Sequence, residues 1–443
     1  MNIRHWFFSY LLFLLFPLIS IAGSPIIPTP NSIETKEGFF SYSNGFDIKI
    51  TRGDNATKRV QQLLSDSVIA KKIPIVPFAK TGIILNLLPA SGGDIYSENY
   101  TLSITPTTIT ITSTGNAGLF YGVQSLLQLF RASNTRQIPC AEIKDTPAYN
   151  FRGFQLDVVH HYFDVAVLKK YLDIMAKLKM NQFQWQLSGN EKSSVQFKNT
   201  IAKADTANSY TPEQVKALVK YAQERFINII PEIYFPYATS DSEIVRNKQL
   251  ADEVIAVFPG TFIQIGNAIT DDSTLAYLQR KNKKIIGKDK NINSSAILLS
   301  YKSEKSGLLA ATKNTDVIMA TRQYCSLDYY QDWVDEKMEF SMTFLPLSKA
   351  YSFSPAGKLK DANTIKHILG GQACLFTTYI KNEDALDYQS FPRMLALAEC
   401  FWTTKSNKNF KDFERRVKIL KDYFYKEKEV YIDLVRIRPK KQQ

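Results

Sequence analysis

The sequence predicts an α/β fold: a (β/α)₈ barrel preceded by a small α+β domain. Three observations carry this. From residue 151 strand-like and helix-like segments alternate, the pattern of a parallel sheet. Eight such units fit into about 255 residues, an ordinary length for a barrel. Before residue 147 the pattern differs, with Thr/Ile runs at period two beside apolar helical stretches.

In the first part, Lys58 to Ala70 reads as a helix and Ile83–Leu88 as a strand. YTLSITPTTITITS (100–113) reads as a strand pair, and Gly118 to Phe130 as an apolar helix. Residues 24–60 carry turn residues and short alternating runs. The barrel strands are expected at 151–159, 181–187, 227–234, 261–267, 283–289, 295–301, 316–322 and 370–376. Helical segments such as VAVLKKYLDIMAKLK and TPEQVKALVKYAQERF lie between most of them. Thr211, Pro212 and Glu213 supply a cap, a first-turn proline and a first-turn acid. Domain boundaries are therefore expected at 1–22, 23–147, 148–405 and 406–443.

Residues 1–22 read as a secretory signal. Arg4 precedes an uncharged apolar run, and Ser20-Ile21-Ala22 before Gly23 suits cleavage. The implied location is secreted or periplasmic. The competing reading is an uncleaved anchor over residues 6–22, a run near the short limit for a bilayer. The cysteines Cys140, Cys325, Cys374 and Cys400 are too few for a disulfide framework and read as small core residues. With no C-x-x-C, no H-E-x-x-H and three histidines after the signal, no metal and no cofactor is expected. The net charge of +13 suits either an acidic partner or a solvated lysine-rich surface. Nucleic acid is not expected, because the chain is read as exported and has no recognition motif. The tail from Ser406 holds twelve Lys/Arg against six Asp/Glu, and FKDFERRVKILKDYFYKEKEV has helical spacing. Mixed charge makes it a surface helix.

In a barrel of this kind sites lie at the C-terminal ends of the strands. One such end reads FIQIGNAIT (262–270), a buried strand running into Asn267, Ala268 and Ile269 with nothing ionisable. The other ends hold Asp157 and His160, Leu187 and Ser188, Tyr234, Lys288 and Asp289, Tyr301, Tyr324 to Asp328, and Phe376 with Thr377.

FRGFQLDVVHHYF, MNQFQWQL, NIIPEIYFP, FIQIG, LDYYQ, GGQACLF and FPRMLALAECFW, in this order, resemble the family 20 glycoside hydrolases, the β-N-acetylhexosaminidases. YTLSITPTTITITSTGNAGLFYGVQSLLQLF resembles that family's accessory domain. The resemblance runs over nearly the whole secreted chain and implies the same barrel. It also implies a substrate-assisted mechanism, in which the 2-acetamido carbonyl attacks and a Glu protonates the leaving oxygen. The Asp before that Glu orients the acetamido group. In this chain the pair aligns with Ala268 and Ile269, so the catalytic edge has lost both carboxylates. A register slip to Asp271 and Asp272 is disfavoured. Three residues of extended chain displace a carboxyl by roughly 10 Å, and proton transfer needs about 3 Å.

Other motif positions depart in the same direction. The family's D-V-x-R-H reads Asp157-Val158-Val159-His160-His161, so the sugar-gripping arginine becomes His160. H-W-H-L-T-D-D reads Gln184-Trp185-Gln186-Leu187-Ser188-Gly189-Asn190. P-E-I-D-x-P-G-H reads Pro231-Glu232-Ile233-Tyr234-Phe235-Pro236-Tyr237-Ala238. The three tryptophans that wall the acetamido pocket match Lys288, Tyr301 and Phe376.

Three functions follow as expectations. The first is a non-catalytic family member that binds a glycan or amino sugar. His160, Gln184, Trp185, Gln186, Tyr234, Tyr237, Gln264, Asn267, Tyr301 and Phe376 are its cleft candidates; for the aromatics, barrel packing is the competing reading. The second is an active exo-glycosidase with relocated acids, drawn from Asp157, Glu232 and Asp328, with Glu191 and Asp289 also near strand ends. The third is a scaffold for another exported protein, using the basic tail.

Overall fold

The computed structural model describes residues 24–89, 97–266, 270–289, 296–331 and 343–424. The expected signal, the end of the basic tail, and Asn267, Ala268 and Ile269 lie outside them. A six-stranded sheet comes first. Its strands are β1 (Ser32–Ser41), β2 (Asp47–Ile50), β3 (Gly82–Leu87), β4 (Tyr100–Ile104), β5 (Thr108–Ser113) and β6 (Gln137–Asp145), in the order β1-β6-β4-β5-β3-β2. Two helices pack on it, α1 (Asn55–Ile69) and α2 (Asn116–Ala132). Helix α2 is buried on every side over residues 118–130. Gly118 lets it approach the sheet: a Cβ there would lie 2.3 Å from the Asn99 carbonyl oxygen.

The barrel is closed and parallel. Its strands are β7 (Phe151–Asp157), β8 (Gln182–Gln186), β9 (Asn228–Ile233), β10 (Phe262–Ile265), β11 (Lys284–Lys288), β12 (Ile297–Ser300), β13 (Val317–Met319) and β14 (Ile368–Leu375), with β14 pairing back to β7. Each expected barrel strand is found. The helices around them begin on side-chain caps. Asp164 caps α3 (Val165–Lys177), and Thr211 with Gln214 forms a capping box on α4 (Pro212–Gln223). Ser240 caps α5 (Asp241–Val257), Asp271 caps α6 (Asp272–Arg280) and Ser303 caps α7 (Glu304–Thr312). Each cap supplies an acceptor for an otherwise unpaired first-turn N–H. Six further α-helices follow among the described residues: α8 (Arg322–Cys325), α9 (Leu347–Tyr351), α10 (Ala362–Ile365), α11 (Glu383–Ser390), α12 (Arg393–Trp402) and α13 (Phe410–Phe424).

The two sheets are joined by buried charge. Asp145, at the end of β6, accepts from Lys179 Nζ at 2.8 Å, Tyr100 OH at 2.7 Å and Trp402 Nε1 at 2.9 Å. The Lys179 ammonium lies 4.6 Å from the Trp402 ring centroid, and the Arg152 guanidinium lies 4.9 Å from it. Arg152 takes Glu98 through two 2.7 Å bonds and donates to the Lys179 and Tyr149 carbonyls.

The expected solvated tail helix is in fact half-buried. Helix α13 sinks Phe413, Arg416, Val417, Leu420 and Phe424, and packs against α2. Arg416 reaches Glu399 at 2.7 and 2.8 Å and the Ile26 carbonyl at 2.8 Å, both charged side chains being buried. The amphipathic spacing of 410–424 therefore serves intramolecular packing, which weakens this stretch as a free docking arm. All four cysteines are buried and unpaired, as core residues should be.

Lys179 and Asp145 are both fully buried, so removing one strands the other's charge. Lys179→Met is expected to lower unfolding free energy by about 3–5 kcal/mol. The exposed control Lys411→Ala should stay within about 0.5 kcal/mol. Urea unfolding of both variants checks this; equal midpoints would show that the seam does not bear the stability.

Candidate functional site at the barrel mouth

The barrel interior holds an apolar cluster of Phe151, Ile230, Ile286, Ile297, Leu299, Ile318, Ala320 and Cys374. Beside it an amide relay crosses three strands. Gln372 Nε2 donates to Gln184 Oε1 at 2.8 Å, and Gln184 Nε2 donates to Glu232 Oε2 at 2.6 Å. Gln264 also bonds Glu232, and Gln155 donates to Gln186 at 3.2 Å. Gln184 and Gln264 are about as buried as core leucines, so they serve the protein rather than a ligand. That corrects their place among the cleft residues.

Trp185 is corrected too. It has no exposed surface and faces the helices, edge-on to Tyr210 at 4.7 Å and Phe258 at 6.4 Å. With Gln184 and Gln186 pointing inward, the residue between them must point outward. Tyr234 is half-buried, its N–H bonded to Ser188 Oγ at 2.9 Å, while Tyr237 is 60% exposed. Asn267 and the Ala268–Ile269 pair fall in the segment not described.

At the mouth the Lys288 ammonium sits 4.3 Å from the Tyr301 ring centroid and 4.8 Å from that of Phe376. The rings meet edge-to-face at 5.6 Å, and Tyr301 OH bonds Ser326 Oγ at 2.8 Å. A cation between two aromatic faces is a favourable cation–π arrangement. The three residues come from three different strands, and their contact agrees with the family resemblance, which sets them around one pocket.

The candidate acids divide sharply. Asp157 is fully buried and saturated: it accepts from the backbone N–H groups of Val159 (2.8 Å), His160 (3.2 Å) and Thr377 (3.2 Å), and pairs with His160 Nδ1 at 2.5 Å. It positions His160 and is not a free acid. Asp289 Oδ1 accepts from the Tyr301 and Lys302 N–H groups, and Glu191 lies exposed. Asp271, the alternative register for the lost pair, caps α6 through Thr274 and is held by Asn247. Burial pushes the Glu232 carboxyl up to about 7, against the pull of Lys288 and Gln184. Burial also pushes Asp328 up to about 6, against its backbone N–H, Arg393 and Lys288. Asp328 Oδ1 is buried without a hydrogen-bond partner. Beside this centre His160, His161, Tyr162, Lys192 and Lys203 line a groove of about 400 Å³.

The chain matches the profile described as glycosyl hydrolase family 20, domain 2, over residues 23–146, and that of the family's catalytic domain over 149–253 and 272–405. It belongs to glycosyl hydrolase family 20. The catalytic-domain match stops before β10 and resumes after the Ala268–Ile269 edge. A beta-hexosaminidase of Porphyromonas gingivalis is 28% identical over 89% of this chain and 62% of its own length. One from Vibrio furnissii is 24% identical over 88% and 78%. Among solved structures, the Bacteroides fragilis beta-N-acetylhexosaminidase superposes with a TM-score of 0.76 at 22% identity, covering 91% of this chain and 96% of that one. The Streptomyces plicatus enzyme, in complex with Thio-NAglucal, gives 0.77 at 22%, covering 92% and 97%. This chain thus spans about three-fifths of the Porphyromonas relative, and the structural likeness speaks for the fold.

Two pH responses follow from the geometry. His160 is held above its usual 6.5 by its bond to Asp157, whereas burial holds His161 below it. NMR titration should give midpoints on opposite sides of 6.5; the reverse order would contradict the Asp157–His160 pair. The folded state favours protonated Glu232, with a folded pKa of about 7 against 4.5. Stability should therefore fall as pH rises from 4.5 to 7 and level off above, by about 3 kcal/mol. Glu232→Gln should remove that slope in urea midpoints taken across the same range.

Proposed function

We propose that this family 20 protein is exported, lacks normal hexosaminidase turnover, and holds a glycan at the barrel mouth without cleaving it. The observation that carries this is Lys288 over Tyr301 and Phe376. These three positions match the walls of the family's acetamido pocket. An apolar wall for a neutral acetamido group is replaced by an ammonium lying in the space between the other two. The lost carboxylates at Ala268 and Ile269 add to it, and the interrupted catalytic-domain match is in keeping with that loss. Asp157 and Asp271 have their oxygens engaged elsewhere, so neither takes over the role.

Magnitudes support near-background turnover. A missing general acid typically costs about 10²–10⁴ in rate. Missing preorganised electrostatic stabilisation costs about 10²–10³. The fold tolerates such losses, because removing like charges from a site is often neutral for stability. The glycan would lie across the half-exposed His160 and the groove beside it. Export rests on the apolar leader with its Ala22 cleavage site.

One observation favours a second reading, an exo-glycosidase with a relocated acid. Asp328 has a pKa near 6 and an uncommitted oxygen, as a proton donor near neutral pH needs. The two readings separate on a chromogenic N-acetyl-β-glucosaminide. The purified protein should show no turnover above a contamination control, and Ala268→Asp with Ile269→Glu should stay silent because the pocket walls have changed as well. Turnover that disappears in Asp328→Asn would establish the relocated acid instead.

A further inference from the structure

A second recess opens on the same barrel face, between the loops that follow β12 and β13. Its volume is about 600 Å³, within the range of small-ligand pockets. Lys302, Lys305, Arg322 and Lys349 line it, with Glu304 as the one carboxylate on its wall. None of these four cations makes a side-chain ion pair or hydrogen bond among the described residues. By contrast, Arg152, Arg225 and Arg416 each hold a carboxylate, and Arg393 holds four backbone carbonyls.

Four unpaired cations around one concavity repel one another. The Debye length at physiological salt is about 8 Å, so solvent ions screen repulsion between charges lining one recess only in part. The arrangement is relieved by an anion. Two further features shape what that anion would be. Thr321 lines the recess and is 2% exposed, and its buried hydroxyl has no partner. An unmade hydrogen bond of this kind points to a missing partner, and an anion's oxygen would accept from this hydroxyl. Tyr329 contributes an aromatic wall, suited to the face of a sugar ring. Arg322 offers a planar fork that matches carboxylate or sulfate oxygens.

We propose that this recess is an anion subsite for an acidic glycan, one carrying a sulfate ester or a uronic carboxylate. The proposal builds on the glycan-binding reading above and extends it from a neutral amino sugar to a charged neighbour. The two sites share a wall: the Arg322 N–H donates to the Tyr301 carbonyl at 2.8 Å, and Tyr301 is the ring beneath Lys288. One sugar at the mouth would place the next against the recess.

The test is the affinity of the purified protein for three oligosaccharides of equal length: a sulfated one, an unsulfated uronate-containing one, and a neutral N-acetylglucosamine oligomer. Arg322→Ala with Lys349→Ala should weaken binding of at least one acidic oligosaccharide about tenfold or more, since bonds to charged groups are the strong ones. Which acidic oligosaccharide responds identifies sulfate or carboxylate as the group recognised. Lys411→Ala with Lys418→Ala, on the exposed face of α13, leaves that affinity unchanged. Thr321→Val, which alters no charge, lowers it severalfold. Loss of equal size in both lysine-containing pairs would reduce the effect to overall basicity and overturn the subsite, as would failure of both acidic oligosaccharides to bind. The neutral oligomer reports separately on the mouth: its failure to bind, with the acidic ones bound, overturns the neutral-glycan reading and leaves the subsite standing.

Discussion

The rest of the structure hangs on Trp402 held between two buried cations. Arg152 opens the first barrel strand, and Lys179 closes the first barrel helix; both lie over the same indole. Asp145 ties the indole N–H, Lys179 and Tyr100 together at the last strand of the small domain. One carboxylate thus fixes the accessory sheet against the base of the barrel. Such a pair is costly to bury and costlier to break, because either partner alone would be an uncompensated charge.

The barrel interior holds neutral amides, Gln155, Gln184, Gln186, Gln264 and Gln372, several of them bonded across strands. Glutamine can donate and accept at once, so these amides pair without counter-ions, while Gln264 Oε1 and Gln372 Oε1 stay buried without a partner among the described residues. The charges beside them are Glu232, Asp328 and Lys288. Burial raises both carboxyls and Lys288 opposes the rise. The centre behaves as one electrostatic unit, in which Lys288 supplies the positive charge.

Much of this was legible in the residues. Most barrel strands could be read because they are short apolar or alternating runs, and the caps Thr211, Asp164 and Ser303 are local signals. β1 and β6 were not legible. β1 is exposed along nearly its whole length, so no apolar alternation marks it, and β6 contains Pro139 opposite the irregularity in β1. Helix α13 was legible as a helix, but its partner was not. Arg416 finds Glu399 on the preceding α12 and the Ile26 carbonyl near the other end of the chain, and nothing within 410–424 names them.

The sequence alone determined the order of elements, the family resemblance, and the absence of ionisable groups at Ala268 and Ile269. These are properties of neighbouring residues, set by period, caps and motif order. Tertiary structure alone decided which inward and outward faces the alternating residues take. Trp185 and Gln184 are adjacent in sequence and lie on opposite faces of the same strand. It also decided that Lys288 meets Tyr301 and Phe376, and that Arg322, Lys302 and Lys349 surround one recess. Such contacts depend on barrel closure, which brings strand ends together at distances that no local pattern encodes.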